Sequence, residues 1–259
     1  MNLKDKVVIV TGAGRGIGKA ASVLFAREGA IVCGVDWKME LLAETESAVR
    51  DAIPDAAFHS YQCDIRDEDQ VKTTVAAVLD KCGTIDGLYN NAAVNTRSGS
   101  CVDMEMRSFD FTMAVNLRGS VLLCRHVIPH MVAQGKGSIV NTSSINAHFG
   151  GMGCDAYSIS KAAIETLSKQ LAYTYGSYGV RCNTICPGVI RTEGTLSAAT
   201  DPEAAEQRLI GLSGPLGRPG KPQEIANLAA YLLSDYSSLV TGVTVFADGG
   251  FSTGGRKLS

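Results

Sequence analysis

The sequence has almost no net charge and no long hydrophobic run, and each deficit excludes a class of protein. Its 24 Lys and Arg residues are balanced by 26 Asp and Glu residues, for a formal net charge of -2 at pH 7. Proteins that hold nucleic acid through phosphate contacts normally carry a cationic surplus. The first apolar run, residues 7–10, is too short for a signal peptide or a membrane span. We therefore expect no nucleic-acid partner, no membrane insertion and a cytoplasmic location.

Closely spaced cysteines are also missing. Eight cysteines are scattered through the 259 residues without a CxxC motif, mostly in apolar stretches. A disulfide framework or a zinc site would need characteristic cysteine spacings, so we expect reduced, mostly buried thiols. His126 and His130 are four residues apart, but Pro129 lies between them and no carboxylate accompanies them. We predict no metal ligands.

Apolar residues make up 45% of the chain, and their distribution predicts the fold. Runs of strand length alternate with segments of helical spacing, such as the one that carries Val71, Val75 and Val78. The predicted strands are residues 7–11, 31–35, 57–61, 85–89, 138–142, 181–186 and 244–246. Apolar strands joined by helices predict a doubly wound α/β Rossmann fold. We expect one domain over residues 1–259, with a seven-stranded parallel sheet and helices on both faces.

Residues 192–220 interrupt this alternation. They are rich in Gly, Pro, Ser and Ala, and only residues 202–212 have a weak helical pattern. A loose insertion beyond the carboxyl ends of the strands lies where open α/β sheets bind ligands. We predict a substrate lid there, and the alternative is a surface loop without function.

A glycine-rich turn follows the first predicted strand and leads directly into a helical segment. Glycines let a pyrophosphate approach backbone N–H groups and the positive end of the helix. Such turns also serve merely to redirect the chain, but this position in the first βαβ unit favours dinucleotide binding. The predicted contacts are Gly12, Arg15, Gly16, Ile17 and Gly18.

The second predicted strand is followed by Asp36. Its carboxylate can accept hydrogen bonds from the ribose hydroxyls and would repel a 2′-phosphate, so we predict NAD rather than NADP. Arg15 and Lys38 favour the opposite choice because either can attract a phosphate, and Asp36 can alternatively cap a helix. Residues after two later strands are further predicted cofactor contacts: Asp64, Ile65, Asn91 and Ala92. The structural alternatives at these positions are helix capping and turn formation.

Tyr157 and Lys161 lie one turn apart on one face of a predicted helix. An ammonium about 4 Å from a phenol would lower the phenol pKa by about three units at an effective dielectric constant of about 20. We predict that Tyr157 exchanges a proton with an alcohol or ketone, and that Ser144 holds the substrate oxygen. A surface Tyr–Lys pair and a turn-capping serine are the ordinary alternatives.

Together with Asn116 and Pro187-Gly188, these motifs resemble the short-chain dehydrogenase/reductase family over essentially the whole chain. The resemblance implies an active site of Ser144, Tyr157, Lys161 and Asn116, with Asn116 holding a water that relays protons from Lys161. It implies that Tyr157 and Lys161 also reach the cofactor and that the nicotinamide is flanked by Pro187, Gly188, Val189 and Thr192. It further implies a homotetramer. Ala93 departs from the family, which usually has glycine there.

Several residues near the predicted chemistry are candidates for substrate recognition: Asn95, Arg97, Asn146, His148, Met152, Cys154 and Glu193. Their polarity favours a small polar substrate such as a polyol, sugar, hydroxy acid or cyclic alcohol, although loops are polar whatever they bind. We predict an NAD-dependent enzyme that interconverts a secondary alcohol and a ketone. One alternative is a 3-oxoacyl-thioester reductase that uses NADPH, since residues 215–220 and 248–250 also resemble those enzymes. Another is a non-catalytic protein that senses the cofactor.

Overall fold

Seven strands form one sheet in the computed structural model, which describes residues 2–96, 99–150, 153–196 and 201–254. In chain order the strands are β1 (Val7–Thr11), β2 (Ile31–Asp36), β3 (Phe58–Gln62), β4 (Gly87–Asn90), β5 (Gly137–Thr142), β6 (Val180–Pro187) and β7 (Thr244–Ala247). Their order across the sheet is β3-β2-β1-β4-β5-β6-β7, and all neighbours pair in parallel. The predicted doubly wound topology is confirmed.

Helices connect the strands and cover the sheet. They are α1 (Gly16–Arg27), α2 (Met39–Ala52), α3 (Glu68–Cys82), α4 (Met106–Met113), α5 (Gly119–Ala133), α6 (Asp155–Tyr175), α7 (Glu193–Leu196), α8 (Pro202–Gly211) and α9 (Pro222–Leu233). A π-helical turn, Ala114–Arg118, joins α4 to α5. No helix in the described part of the chain is long and apolar enough to cross a membrane.

Alternate side chains of β1 pack into hydrophobic clusters on opposite faces of the sheet, and helices cover both faces. Successive side chains of a strand point to opposite faces. Val8 and Val10 pack into one buried cluster with residues of α1 and α9, whereas Val7 and Ile9 pack into another with residues of α3 and α5. A strand buried on both sides needs an unbroken apolar sequence, and all five residues of β1 are buried.

Element boundaries differ from the predicted ones by up to two residues. β4 begins at Gly87 rather than at residue 85, and the preceding Asp86 carboxylate instead accepts a hydrogen bond from the Val7 N–H at 3.0 Å. The weak helical pattern at residues 202–212 corresponds to α8, whose N-terminus is capped by the Asp201 carboxylate. All eight cysteines are free, and six of them are buried.

A buried polar network fixes the central strands to α6. The Asn141 side chain on β5 accepts a hydrogen bond from the Asn90 amide at 2.9 Å and donates one to the Ser168 hydroxyl at 2.8 Å. Thr184 on β6 donates to the same Ser168 hydroxyl at 2.7 Å. Asn141 is followed by Thr142, where β5 ends. The network therefore sets the depth at which α6 lies over the carboxyl ends of these strands.

Asn141→Ala should lower the free energy of unfolding by about 2–4 kcal/mol, because it leaves the Asn90 amide and the Ser168 hydroxyl buried without this partner. Urea denaturation monitored by circular dichroism measures the loss. Asn227→Ala is the matched control, since Asn227 is exposed on α9. Equal denaturation midpoints for the two variants would contradict a structural role for the network.

Candidate active site and cofactor cleft

The carboxyl ends of the parallel strands meet at one edge of the sheet, and most of the predicted site residues follow them. β1 leads into the glycine-rich turn, β2 ends at Asp36, and β5 ends at Thr142 just before Ser144. Open α/β sheets bind ligands at this edge. The topology thus brings together residues that lie far apart in the chain.

The turn between β1 and α1 requires its glycines. Gly12 and Gly16 have φ values of +64° and +55°, a region that side chains rarely adopt. A Cβ on Gly18 would lie 2.0 Å from the Gly12 carbonyl oxygen, so Gly18 lets the helix start close to the turn. The first turn of α1 contains no acidic residue, and no N-cap side chain bonds to it. Its N–H groups are therefore suited to an anion.

Asp36 is buried at the end of β2, and both of its carboxylate oxygens accept backbone hydrogen bonds. Oδ2 accepts from the Gly14 N–H at 3.1 Å and Oδ1 from the Lys38 N–H at 3.2 Å. These bonds fix the carboxylate against the glycine-rich turn.

A cleft of about 500 Å³ runs along this edge of the sheet. Ten of the predicted cofactor residues line it: Gly12, Arg15, Gly16, Ile17, Asp36, Asp64, Ile65, Asn91, Ala92 and Thr192. Gly18 instead packs inside the turn, and Gly188 packs against Asp248 after the end of β6. Pro187 ends β6, and Val189 lines a separate cavity beside Ile190.

The glycines, the Asp36 carboxylate and the acid-free helix terminus fit a nicotinamide dinucleotide. A Cβ on Gly12 would lie 2.9 Å from the Ala92 Cα, so the backbone at the turn has no room for a side chain. The Thr11 hydroxyl accepts hydrogen bonds from the N–H groups of Asn91 and Ala92 at 3.0 and 3.1 Å, which fixes the opposite wall.

Sequence reasoning missed Arg66 and Phe111, which also line the cleft. The Arg66 guanidinium hydrogen-bonds both carboxylate oxygens of Asp64 and lies 5.0 Å from the Phe111 ring centroid. The bonds from Arg66 hold the pKa of Asp64 below its ordinary value. The Asp64 carboxylate is therefore engaged by a cation, and it is Asp67 that caps α3. Trp37, the sole tryptophan, also lines the cleft and is 64% exposed.

Tyr157 and Lys161 face each other across one turn of α6. The Lys161 Nζ lies 5.5 Å from the centroid of the Tyr157 ring and donates a hydrogen bond to the Thr142 carbonyl at 2.7 Å. Lys161 is only 3% exposed, and burial lowers the pKa of its ammonium to about 8. The structure thus brings together the predicted pair and encloses its charge.

The pKa of the Tyr157 phenol does not fall as the sequence predicts. Burial raises it from 10.0 to about 12, and the influence of the Ser144 hydroxyl, which lowers it, only partly opposes this rise. The predicted acidification is wrong for the ligand-free protein, because the Lys161 ammonium is directed at the Thr142 carbonyl rather than at the phenol oxygen. Tyr157 is a protonated phenol at neutral pH.

Asn116 lies in the π-helical turn and is buried. Its side chain accepts from the Val94 N–H at 2.8 Å and donates to the Val94 carbonyl at 2.9 Å and to the Ser160 hydroxyl at 3.0 Å. It therefore joins the segment after β4 to α6, beside Lys161. Single π-helical turns often mark functional sites.

A second polar cluster, which the chain spacing did not reveal, lies one helical turn beyond Lys161. The buried Glu165 carboxylate accepts a hydrogen bond from the Ser143 hydroxyl at 2.6 Å and pairs with the His148 Nε2 at 2.9 Å. The ligating atoms of His148, Glu165 and Cys186 lie within 4.8 Å of one another. The sequence analysis predicts no metal ligand, yet these three donors are close enough together to share an ion. The Glu165 carboxylate already has Ser143 and His148 as partners, so we interpret the cluster as structural.

The candidate substrate residues do not all lie together. Asn146 and Cys154 lie together, with the Asn146 amide donating to the Cys154 Sγ at 3.0 Å, and the Asn146 N–H donates to the Ser144 hydroxyl at 3.3 Å. Asn95 follows β4, while Arg97 and Met152 lie outside the described residues. Glu193 lies in the cofactor cleft, where its carboxylate accepts from the Gly16 N–H at 3.2 Å because α7 starts against the glycine-rich turn.

Comparison with known proteins agrees with this arrangement. A family model described as enoyl-(acyl carrier protein) reductase matches residues 12–252. The 3-oxoacyl-(acyl-carrier-protein) reductase of Thermotoga maritima is 39% identical over 252 residues, which cover 96% of this chain and 99% of that protein.

Two solved structures are similar over nearly their whole length. Levodione reductase has a TM-score of 0.93 and 35% identity, covering 97% of this chain and 99% of that chain. NAD+-bound xylitol dehydrogenase has a TM-score of 0.89 and 33% identity, covering 96% of this chain and 100% of that one. The chain therefore belongs to the short-chain dehydrogenase/reductase family of nicotinamide-dependent oxidoreductases.

Proposed function

We propose that this protein is an NAD(H)-dependent enzyme that interconverts a secondary alcohol and a ketone on a small polar molecule. The observation that carries the proposal is the buried Lys161 ammonium 5.5 Å from the centroid of the Tyr157 ring, with the Ser144 hydroxyl near enough to lower the pKa of the phenol. The ammonium is held by the Thr142 carbonyl at the end of β5. This strand lies next to β4, and the segment that follows β4 lines the cofactor cleft, so the pair lies close to that cleft.

Each of these side chains has a role that follows from its surroundings. The protonated phenol of Tyr157 donates to a ketone oxygen in reduction and takes the proton back in oxidation. The Ser144 hydroxyl orients that oxygen by a hydrogen bond. The buried positive charge of Lys161 favours negative charge on the phenol oxygen while the proton is away. The nicotinamide, when bound, supplies or accepts the hydride. For Asn116 we retain the proton relay to Lys161 that the family resemblance implies.

The preference for NAD rests on Asp36. Its carboxylate is buried and held by two backbone N–H groups, so it cannot readily turn away from a 2′-phosphate. A charge in that position disfavours NADP through repulsion. The similar xylitol dehydrogenase structure is named as NAD+-bound, which supports the same choice.

A 3-oxoacyl-thioester reductase is the second candidate. The relative from Thermotoga maritima that bears this name is 39% identical to the chain. Asn146 and Cys154 beside Ser144 support a polar substrate rather than a long acyl chain. A non-catalytic cofactor sensor is less well supported, because a sensor would have no use for the buried Lys161 charge.

Three further expectations accompany this function. We propose that residues 192–220, of which 197–200 lie outside the described residues, form a lid over the substrate, since Thr192 and Glu193 reach the cofactor cleft and α8 follows within the same segment. The homotetramer implied by the family resemblance and the cytoplasmic location stay predictions.

Burial of the Lys161 ammonium lowers the stability of the folded protein. A group that is kept at such a cost is a candidate for a functional role. The pKa of Lys161 is 10.5 in the unfolded chain and about 8 in the folded protein. The difference corresponds to about 3 kcal/mol at neutral pH, since each pK unit is worth about 1.4 kcal/mol. Groups buried at such a cost are concentrated at functional sites.

Tyr157→Phe should reduce turnover by at least about 1000-fold, because no other group in the proposal donates the proton. Cofactor binding should persist. Absorbance at 340 nm with a panel of polyols, sugars, hydroxy acids and cyclic alcohols measures turnover, and quenching of Trp37 fluorescence by NADH measures binding. Tyr173→Phe is the matched control, as Tyr173 lies on the same helix and is 91% exposed. A Phe variant that retained activity would refute the mechanism.

Asp36→Arg should move the preference from NAD towards NADP, because it replaces a repulsive charge with an attractive one. The ratio of kcat/KM for the two cofactors should change by at least about 100-fold, or about 2.7 kcal/mol. Asp51→Arg makes the same charge change at an exposed position on α2 and should leave the ratio as it is. An unaltered ratio in the Asp36 variant would remove the basis for assigning NAD.

Lys161→Met should stabilise the ligand-free protein at pH 7 by about 1–3 kcal/mol while abolishing activity. Between pH 8 and pH 10.5 the unfolded chain binds more protons than the folded one, so wild-type stability rises with pH across this window. The advantage of the variant should therefore shrink at pH 10. Urea denaturation at both pH values tests this, with the exposed Lys169→Met as control. A stability difference that did not vary with pH would count against the shifted pKa.

A further inference from the structure

The contact between Glu193 and the glycine-rich turn joins the proposed lid to the proposed phosphate site. The Glu193 Oε2 accepts a hydrogen bond from the Gly16 N–H at 3.2 Å, across 177 positions of sequence. A local turn supports this reach, because the Thr195 hydroxyl donates to the Ile190 carbonyl at 3.1 Å and the Leu196 N–H donates to the Thr192 carbonyl at 3.1 Å.

The carboxylate occupies a place suited to a ligand anion. Gly16 is the first residue of α1, where the N–H groups and the helix dipole favour negative charge. The first turn of α1 has no acidic residue of its own and no N-cap side chain bonded to it. Glu193 therefore supplies from the lid the negative charge that this helix terminus lacks.

We propose that Glu193 is an internal competitor of the cofactor phosphates, which must displace its carboxylate to bind. The proposal rests on the function proposed above, since it assumes that the pyrophosphate binds at the glycine-rich turn. Two anions cannot share one N–H group in a small cleft without strong repulsion. Part of the favourable free energy of cofactor binding is then used to break the contact with Glu193.

Displacement of Glu193 also changes what holds the lid. The base of the lid is fixed independently, because the Arg191 N–H donates to the Gly220 carbonyl and the Gly220 N–H to the Val189 carbonyl, both at 2.8 Å. The Arg191 guanidinium pairs with Glu206 on α8 at 2.9 Å. Displacement of Glu193 thus removes one contact between α7 and the glycine-rich turn and leaves these contacts at the base in place.

Glu193→Gln tests the competition, because a neutral amide binds a helix terminus more weakly than a carboxylate does. Dissociation constants are measured by Trp37 fluorescence, or by calorimetry where the ligand absorbs. The ligands are NADH, ADP and adenosine. ADP and NADH should bind the variant about three to ten times more tightly than they bind wild type. Adenosine has no phosphate, so its affinity should not change.

Two further variants separate the contact from a general charge effect. Glu193→Asp keeps the charge but shortens the side chain by one methylene, so it should behave like Glu193→Gln if the contact itself matters. Glu203→Gln removes a lid charge that lies outside the cofactor cleft and should leave all three affinities as in wild type.

Unchanged ADP affinity in Glu193→Gln would overturn the proposal, as would an equal gain for adenosine or for Glu203→Gln. If wild type binds NADH and the Glu193 variants bind it no more tightly, this proposal fails while the proposed function stands. If neither wild type nor variants bind NADH or ADP, the proposed function itself fails.

Discussion

The hydrogen bond from the Lys161 ammonium to the Thr142 carbonyl is the interaction on which the site depends. It brings a positive charge into a region that excludes water, at the edge of the sheet where β5 ends. The network around Asn141, which joins α6 to β5 and β6, helps to fix that position. The charge then lies 5.5 Å from the centroid of the Tyr157 ring, close enough to act on the phenol.

This geometry gives the tyrosine and the lysine different states at neutral pH. Burial holds the proton on the phenol of Tyr157 and weakens the hold of Lys161 on its own proton. The two pKa values therefore move apart, from 10.0 to about 12 for Tyr157 and from 10.5 to about 8 for Lys161, so the phenol keeps its proton while the ammonium can release one more readily than in water. The ligand-free protein is thus poised to donate a proton.

The second electrostatic feature lies at the other end of the cleft. The terminus of α1 attracts anions, Asp36 repels an additional phosphate, and Glu193 supplies a carboxylate from the lid. Under the proposed function, the terminus of α1 attracts the pyrophosphate, Glu193 competes with it, and Asp36 disfavours only a cofactor that carries a 2′-phosphate. On this proposal, cofactor selectivity and the Glu193 contact both depend on the short stretch of backbone between β1 and α1.

Much of the fold follows from the sequence because its signals are local. The apolar residues of β1 and the glycines after it specify a buried parallel strand and a tight turn by their own chemistry. The position of Glu193 was not predictable, because it depends on how residues after β6 fold back against α1. Arg66 and Phe111 likewise meet only in the tertiary structure. Helical spacing put Lys161 beside Tyr157, but the direction of the ammonium, and hence the phenol pKa, depends on the Thr142 carbonyl.

The most direct test is an NMR titration of protein labelled with carbon-13 at the tyrosine Cζ, with the Tyr157 signal assigned from the Phe variant. This signal should not titrate below about pH 11 in the ligand-free protein, since the pKa of Tyr157 is about 12. Saturating NAD+, whose ring is cationic, should move the titration to lower pH, and Lys161→Met should reduce this movement. A phenol that titrates near pH 10 in every state, unaffected by NAD+ or by the lysine, would contradict the central claim.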